Sequence, residues 1–171
     1  MTRTKQLRDA VKERFFPYAE SRRFVREKSA HPHFTTFRRI DGHKVRVFNV
    51  QWDKYGHPRF VLNFGEGPLS GVILWGKHKA GQELEPQDCP ESGRLQRRKG
   101  GSLRCWFQLN KPLLDVIRTM EWRYPPEAVV NELLSAFPEL EAWWEHRTVG
   151  PHIDLSSSDL WRLANAPNTA G

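Results

Sequence analysis

Four sets of side chains in this sequence could carry chemistry. The first is a group of amides, Asn49, Gln51 and Asn63, with Arg59 close by. Amides both donate and accept, so such a group could serve as a hydrogen-bonding platform. The second is a basic cluster, Arg94, Arg97, Arg98, Lys99 and Arg104, which flanks Gly100-Gly101 and precedes Trp106 and Phe107. Flexible basic segments beside aromatic rings suit phosphate contact and base stacking. The third is a pair of acids near turns, Asp53 beside Lys54 and Glu66, which loosely fits a metal-dependent nuclease or hydrolase. The fourth is the set of 7 histidines and 2 cysteines.

Each set has a plainer reading. One polar face is the default for an antiparallel sheet, so the amides can simply face water. The basic run can keep a loop out of the core, and no helix-turn-helix, RRM or OB pattern accompanies it. With Arg22, Arg23, Arg26, Arg38, Arg39, Arg46 and Arg59 it could form one basic face. Asp53 and Glu66 do not have the spacing of an acid-x-lysine core. His31, His33, His43 and His57 match no compact zinc spacing, and Cys89 and Cys105 are not at a CxxC interval. Cys105, in LRCWF, reads as a core cysteine. There is no GxSxG, P-loop or GxGxxG motif. No catalytic residue, metal site or cofactor is therefore assigned. The candidate binding surface is Asn49, Gln51, Arg59, Asn63, Arg94, Arg97, Arg98, Lys99 and Arg104.

The element that must position the amides is a hairpin over residues 45–67. Alternation places Phe48, Val50 and Trp52 on one face of its first arm, and Phe60, Leu62 and Phe64 on the matching face of its second. The amides and Arg59 fall on the opposite face. Burying the aromatic wall is worth roughly 1.5–3 kcal/mol per side chain. A one-residue slip would turn it outward, so register is firm. Asp41-Gly42 marks a turn into this hairpin from a strand over 34–40, giving a three-stranded meander.

The remaining elements follow from local pattern. Leu7, Val11 and Phe15 recur at helical spacing over 3–16, and Pro17 ends that helix or starts a new turn. Residues 18–28 read as a second short helix or an extended arm. GVILW at 71–75 reads as a buried strand. Residues 76–102, rich in Gly, Pro and charge, read as a long loop with a strand near Leu95. LRCWFQL at 103–109 is a further strand. Asn110 caps a helix over 112–121. A helix then follows Pro125-Pro126, with Pro138 as a kink, and a last short helix follows the caps Ser156 to Ser158.

The fold expected is α+β: an antiparallel meander of four to five strands packed on one face by N- and C-terminal helices. Residues 1–165 form one domain, and 166–171 a mobile tail. No run reaches the ~18 apolar residues of a membrane span, and the charged N-terminus lacks a secretory core. Two distant cysteines suit a reducing compartment. The net charge of +7 divides unevenly, with +9 over residues 1–60, +2 over 61–110 and −4 over 111–171. Such a field steers an anionic partner or lets the two halves attract each other.

The hairpin VRVFNVQWDKYGHPRFVLNFG, through Val50, Gln51, Phe60, Asn63 and Gly65, resembles the bacterial domain-of-unknown-function family numbered 4304. That resemblance implies an intracellular bacterial protein with no established activity, and supplies no catalytic residues. The function expected is a cytoplasmic, non-enzymatic protein-binding module, accessory to a toxin, defence or mobile-element system. The alternatives are nucleic-acid binding through a basic face and a metal-dependent hydrolase or nuclease.

Overall fold

A computed structural model of the chain describes residues 2–28 and 31–155. The expected helix after Ser158 and the tail at 166–171 lie outside the described residues. The fold is α+β. Its centre is a seven-stranded antiparallel sheet, larger than the four or five strands expected. The strands are β1 (Val25–Arg26), β2 (Phe34–Asp41), β3 (Lys44–Trp52), β4 (Arg59–Pro68), β7 (Glu91–Leu95) and β9 (Ile153–Asp154) in spatial order, with β8 (Phe107–Gln108) also paired to β4. A separate hairpin joins β5 (Val72–Leu74) to β6 (Lys77–Lys79).

The expected aromatic wall of the central hairpin forms. Phe48 pairs with Phe64, Val50 with Leu62 and Trp52 with Phe60, and all six side chains are buried. The turn between β2 and β3 uses Gly42 at φ +60°, which a two-residue hairpin loop with glycine first requires.

Helices cover this aromatic face. A helical stretch over 3–21 consists of α1 (Arg3–Ala10), a π turn at Val11–Phe15 and α2 (Phe16–Ser21). Pro17 does not break the helical run, and it stands in the first turn of α2, as a proline that starts a new turn should. Its ring would crowd the carbonyl of Glu13, and the turn just before it widens so that Phe16 N–H bonds Val11 O. A short helix α3 (Leu113–Thr119) precedes the long helix α4 (Pro126–His146). Helix α4 passes through Pro138, which is exposed. Its apolar stripe, Val129, Leu133, Phe137, Leu140 and Trp144, is buried. Phe15, Phe48 and Phe137 meet edge to face or tilted at 5.4–6.0 Å, so helices and sheet share one aromatic core.

The opposite sheet face is not open to water as the plainer reading expected. Residues expected as a long loop fold back over it through 3₁₀ turns at Gly81–Glu83 and Pro86–Asp88. Leu84, Cys89, Val72 and Val47 make a second small core there. Glycine permits this approach. A Cβ on Gly65 would lie 2.6 Å from Cys89 Cβ, and one on Gly67 would lie 2.7 Å from Leu84 Cδ1.

Three further expectations change. GVILW is not a buried strand, because β5 belongs to the small outlying hairpin and Ile73 and Trp75 are exposed. Within LRCWFQL, Leu103–Cys105 is a 3₁₀ turn, leaving β8 only two residues long. Cys105 is half-buried, and the cysteine that packs in a core is Cys89, whose thiol burial pushes well above its ordinary range.

Candidate functional site

The amides do meet, and Arg94 joins them. Thr36, Asn49, Asn63, Arg94 and Asp154 form one cross-strand row from β2 to β9. Arg94 Nε donates to Asn63 Oδ1 at 3.1 Å. A guanidinium can only donate, so the Asn63 amide is oriented, and its nitrogen faces Asn49 Oδ1 at 2.9 Å and Gln51 Oε1 at 2.8 Å. Asn49 in turn bonds Glu85 on the covering segment. Burial pushes the Glu85 carboxyl up, against the pull of Arg38. The platform is thus spent largely on bonds among its own members, and Asn49 ties it to the cover. Arg38 helps hold that cover, donating to Leu84 O at 2.6 Å and pairing with Glu27.

Arg59 is not part of the platform. Its guanidinium lies 2.7 Å from Asp53 Oδ2. Asp53 also accepts from Tyr55 N–H at 2.8 Å and His57 N–H at 3.4 Å. Burial alone would raise the Asp53 pKa, but Arg59 and the two amides outweigh it and hold the carboxyl below its usual range. Asp53 therefore closes a turn.

Glu66 lies at the other end of the hairpin, seven register steps away, or about 23 Å at ~3.3 Å per residue. Lys44, Arg46 and Arg147 surround it at 2.6–3.1 Å. Burial would raise its pKa, but the hydrogen bonds from these three cations together outweigh it and hold the carboxyl down. The two acids expected to share a metal are apart and each is ion-paired. No cluster of three or more His, Cys, Asp or Glu able to hold a metal occurs among the described residues.

The expected single basic face is not assembled. Arg39 and Arg46 point to the helix side, where Arg39 pairs with Glu141 and Asp41, and Arg46 with Glu66, Asp41 and Glu145. Arg38 lies on the other face. Arg22, Arg23 and Arg26 face acids at 3.4–3.8 Å. Within the 94–104 cluster, Arg97 is also consumed. It pairs with Glu132 at 2.6 Å, donates to Gln108 O at 3.0 Å and covers the Tyr124 ring. Arg98, Lys99 and Arg104 remain exposed.

A different surface stands out, in a stretch expected only as one of the helices packed on the sheet. Residues 109–124 leave the sheet and return to it as a pinned arm. Asn110 bridges Arg123, Lys111 N–H donates to Trp122 O and Tyr124 N–H to Leu109 O. Between these ties sits α3. Asn110 does not cap it, since it is spent on the bridge, and Pro112 takes the capping position. Val116 alone turns inward. Leu113, Leu114, Ile117, Met120 and Trp122 are each 63–84% exposed.

The arm is braced from beneath. Lys111 Nζ, on a nearly buried side chain, reaches Thr119 Oγ1 and Glu121 Oε2, both at 2.9 Å, and Tyr124 OH donates to Asp115 Oδ2. No family model, curated protein or solved structure matches this chain. The arm's character therefore rests on its own geometry. Apolar residues at helical spacing were visible in PLLDVIRTMEW, but periodicity says that a stripe exists and not which way it faces.

Proposed function

We propose that this chain is a non-enzymatic protein-binding module whose contact surface is the arm at 109–124. The observation that carries this reading is the five large apolar side chains held outward on a rigid support. Contiguous exposed apolar patches of this kind are rare on monomers and mark interaction sites. The arm is already braced in one conformation, which lowers the ordering cost of association.

Charge selects the partner. The acids of the arm are internally engaged, Asp115 with Tyr124 and Glu121 with Lys111. Around them Arg118 and Arg123 are exposed, and the loop carrying Arg98, Lys99 and Arg104 borders the arm's base through the bond from Gln108 to Arg104 O. Two arms of this chain meeting face to face would juxtapose like charges. The occupant that fits is a different protein with an apolar groove and an acidic rim. The likeness of the hairpin to the family numbered 4304 suggests a bacterial cytoplasmic setting, and no helix among the described residues is long and apolar enough to cross a membrane. Nucleic-acid binding is the weaker reading, because most arginines expected on its surface are consumed by internal acids.

A photo-crosslinking residue at position 117, expressed in the native host, tests this. The expected result is one protein adduct with an acidic surface, absent when the crosslinker is at Lys12 and lost when Leu114→Asp and Met120→Asp are introduced. Adducts only to lipid, only to a second copy of the chain, or to nothing above the control would overturn it.

A further inference from the structure

A second feature is independent of the arm's exposed face. The end of β7 and helix α4 enclose an open groove of about 660 Å³, a size that suits a small ligand. Its walls carry Arg97 and Arg98 on one side, Asn131, Glu132 and Ser135 on α4, and His152 just before β9.

Which of these groups are free for a ligand follows from their bonds. Arg97 and Glu132 neutralise each other at 2.6 Å. Asn131 Oδ1 accepts from Arg14 Nη2 at 2.7 Å, which turns its amide nitrogen away as an unspent donor. His152 Nδ1 lies 2.6 Å from Glu139 Oε1, and the same carboxylate accepts from His152 N–H at 3.0 Å. A carboxylate only accepts, so Nδ1 carries the proton and Nε2 faces away from Glu139. The Ser135 hydroxyl is exposed. Arg98 is anchored by its backbone, whose N–H donates to Cys105 O, while its guanidinium makes no ion pair among the described residues.

The groove therefore presents one uncompensated cation and neutral polar groups from three walls. A phosphate offers several acceptor oxygens and, as the monoanion, a hydroxyl, which matches Arg98 as a charged fork, Asn131 and Ser135 as donors, and His152 Nε2 as an acceptor. We infer that this groove binds the phosphate group of a small phosphorylated molecule through Arg98, Asn131, Ser135 and His152.

Calorimetric titration of the full chain tests this with four probes: inorganic phosphate, adenosine 5′-monophosphate, adenosine and a ten-nucleotide single-stranded RNA. The phosphate-bearing small probes should bind and adenosine should not. Arg98→Ala and Ser135→Asp should each weaken binding about tenfold or more, since each removes or opposes a charge-assisted bond. Both positions are exposed, so the variants should keep the parent's circular dichroism and melting temperature. Arg104→Ala and Ile117→Asp should bind like the parent, which separates a failure here from a failure of the arm as a protein contact. Binding of no phosphate-bearing probe, or undiminished binding by both groove variants, would overturn the assignment. Binding of the RNA without the monophosphate would also overturn it, in favour of a nucleic-acid track.

Discussion

Asp53 and Glu85 are carboxylates whose environments push them in opposite directions, and stability should reveal both. Asp53 is buried and held by Arg59 and two backbone amides. Removing it leaves a half-buried guanidinium unpaired. Asp53→Ala should therefore cost about 3 kcal/mol, read as a lowered urea midpoint. Glu85 is the reverse case, since burial raises its folded pKa. Below its unfolded value both states are protonated and the group costs nothing. As pH rises through the unfolded and then the folded value, the unfolded state ionises more readily, and the fold loses stability. Glu85→Gln keeps an acceptor and removes that charge. Its melting temperature relative to the parent should be higher at pH 7 than at pH 4, and a constant offset would contradict this account. The turn at Asp53 was legible from an acid opening a Gly- and Pro-containing loop. The state of Glu85 was not, because nothing local announces that residues 80–90 will lie on a sheet.

The covering segment and the arm are elements that periodicity alone misplaces. The cover depends on the absence of side chains beneath it. Gly65→Ala would drive a Cβ against Cys89 and the Pro86 carbonyl, at 2.6 and 2.9 Å. We expect a loss of about 1–3 kcal/mol, with faster proteolytic cleavage within 80–90 while the rest of the chain stays resistant. The arm should behave oppositely. Ile117→Asp with Met120→Asp touches no packed contact, so stability should change by no more than about 0.5 kcal/mol. Retention on a hydrophobic-interaction column should nevertheless fall sharply. A large drop in melting temperature would mean that α3 is packed after all.

Across the whole molecule, the uneven charge of the sequence is resolved by self-association of its two halves. Arg39 and Arg46, from the basic half, meet Glu141 and Glu145 of the acidic helix α4, and Arg147 returns to Glu66 and Glu91. Glu66 and Asp53 both have depressed folded pKa values. Such groups contribute stability above their unfolded pKa, and it is lost as pH falls through the folded one. Thermal stability should therefore fall steeply below the ordinary carboxylate range of about 4. Glu66→Gln should flatten that acid limb while lowering stability at neutral pH. An unchanged acid limb would show that Glu66 does not govern it.

The residues of the hairpin determined its two faces. Alternation fixes which side chains share a face, and a one-residue slip would expose the aromatic wall. The particular pairs from Phe48–Phe64 to Trp52–Phe60 came with the fold, but the six wall residues follow from residue order alone. The same is true of the α+β class and of the helical stripes. Direction and partnership needed the tertiary structure. The stripe of α4 turns inward and that of α3 outward, though both recur at helical spacing, because α3 is tied at both ends by the bridge between Asn110 and Arg123. Arginine counts likewise could not tell a basic face from an internal ion network, since sequence does not show which acids meet them, and those that meet Arg39 and Arg46, Glu141 and Glu145, lie about a hundred residues away in the chain. Candidate ligands were visible as residue types, but which hydrogen-bonding groups remain unspent was decided by contacts that only folding creates.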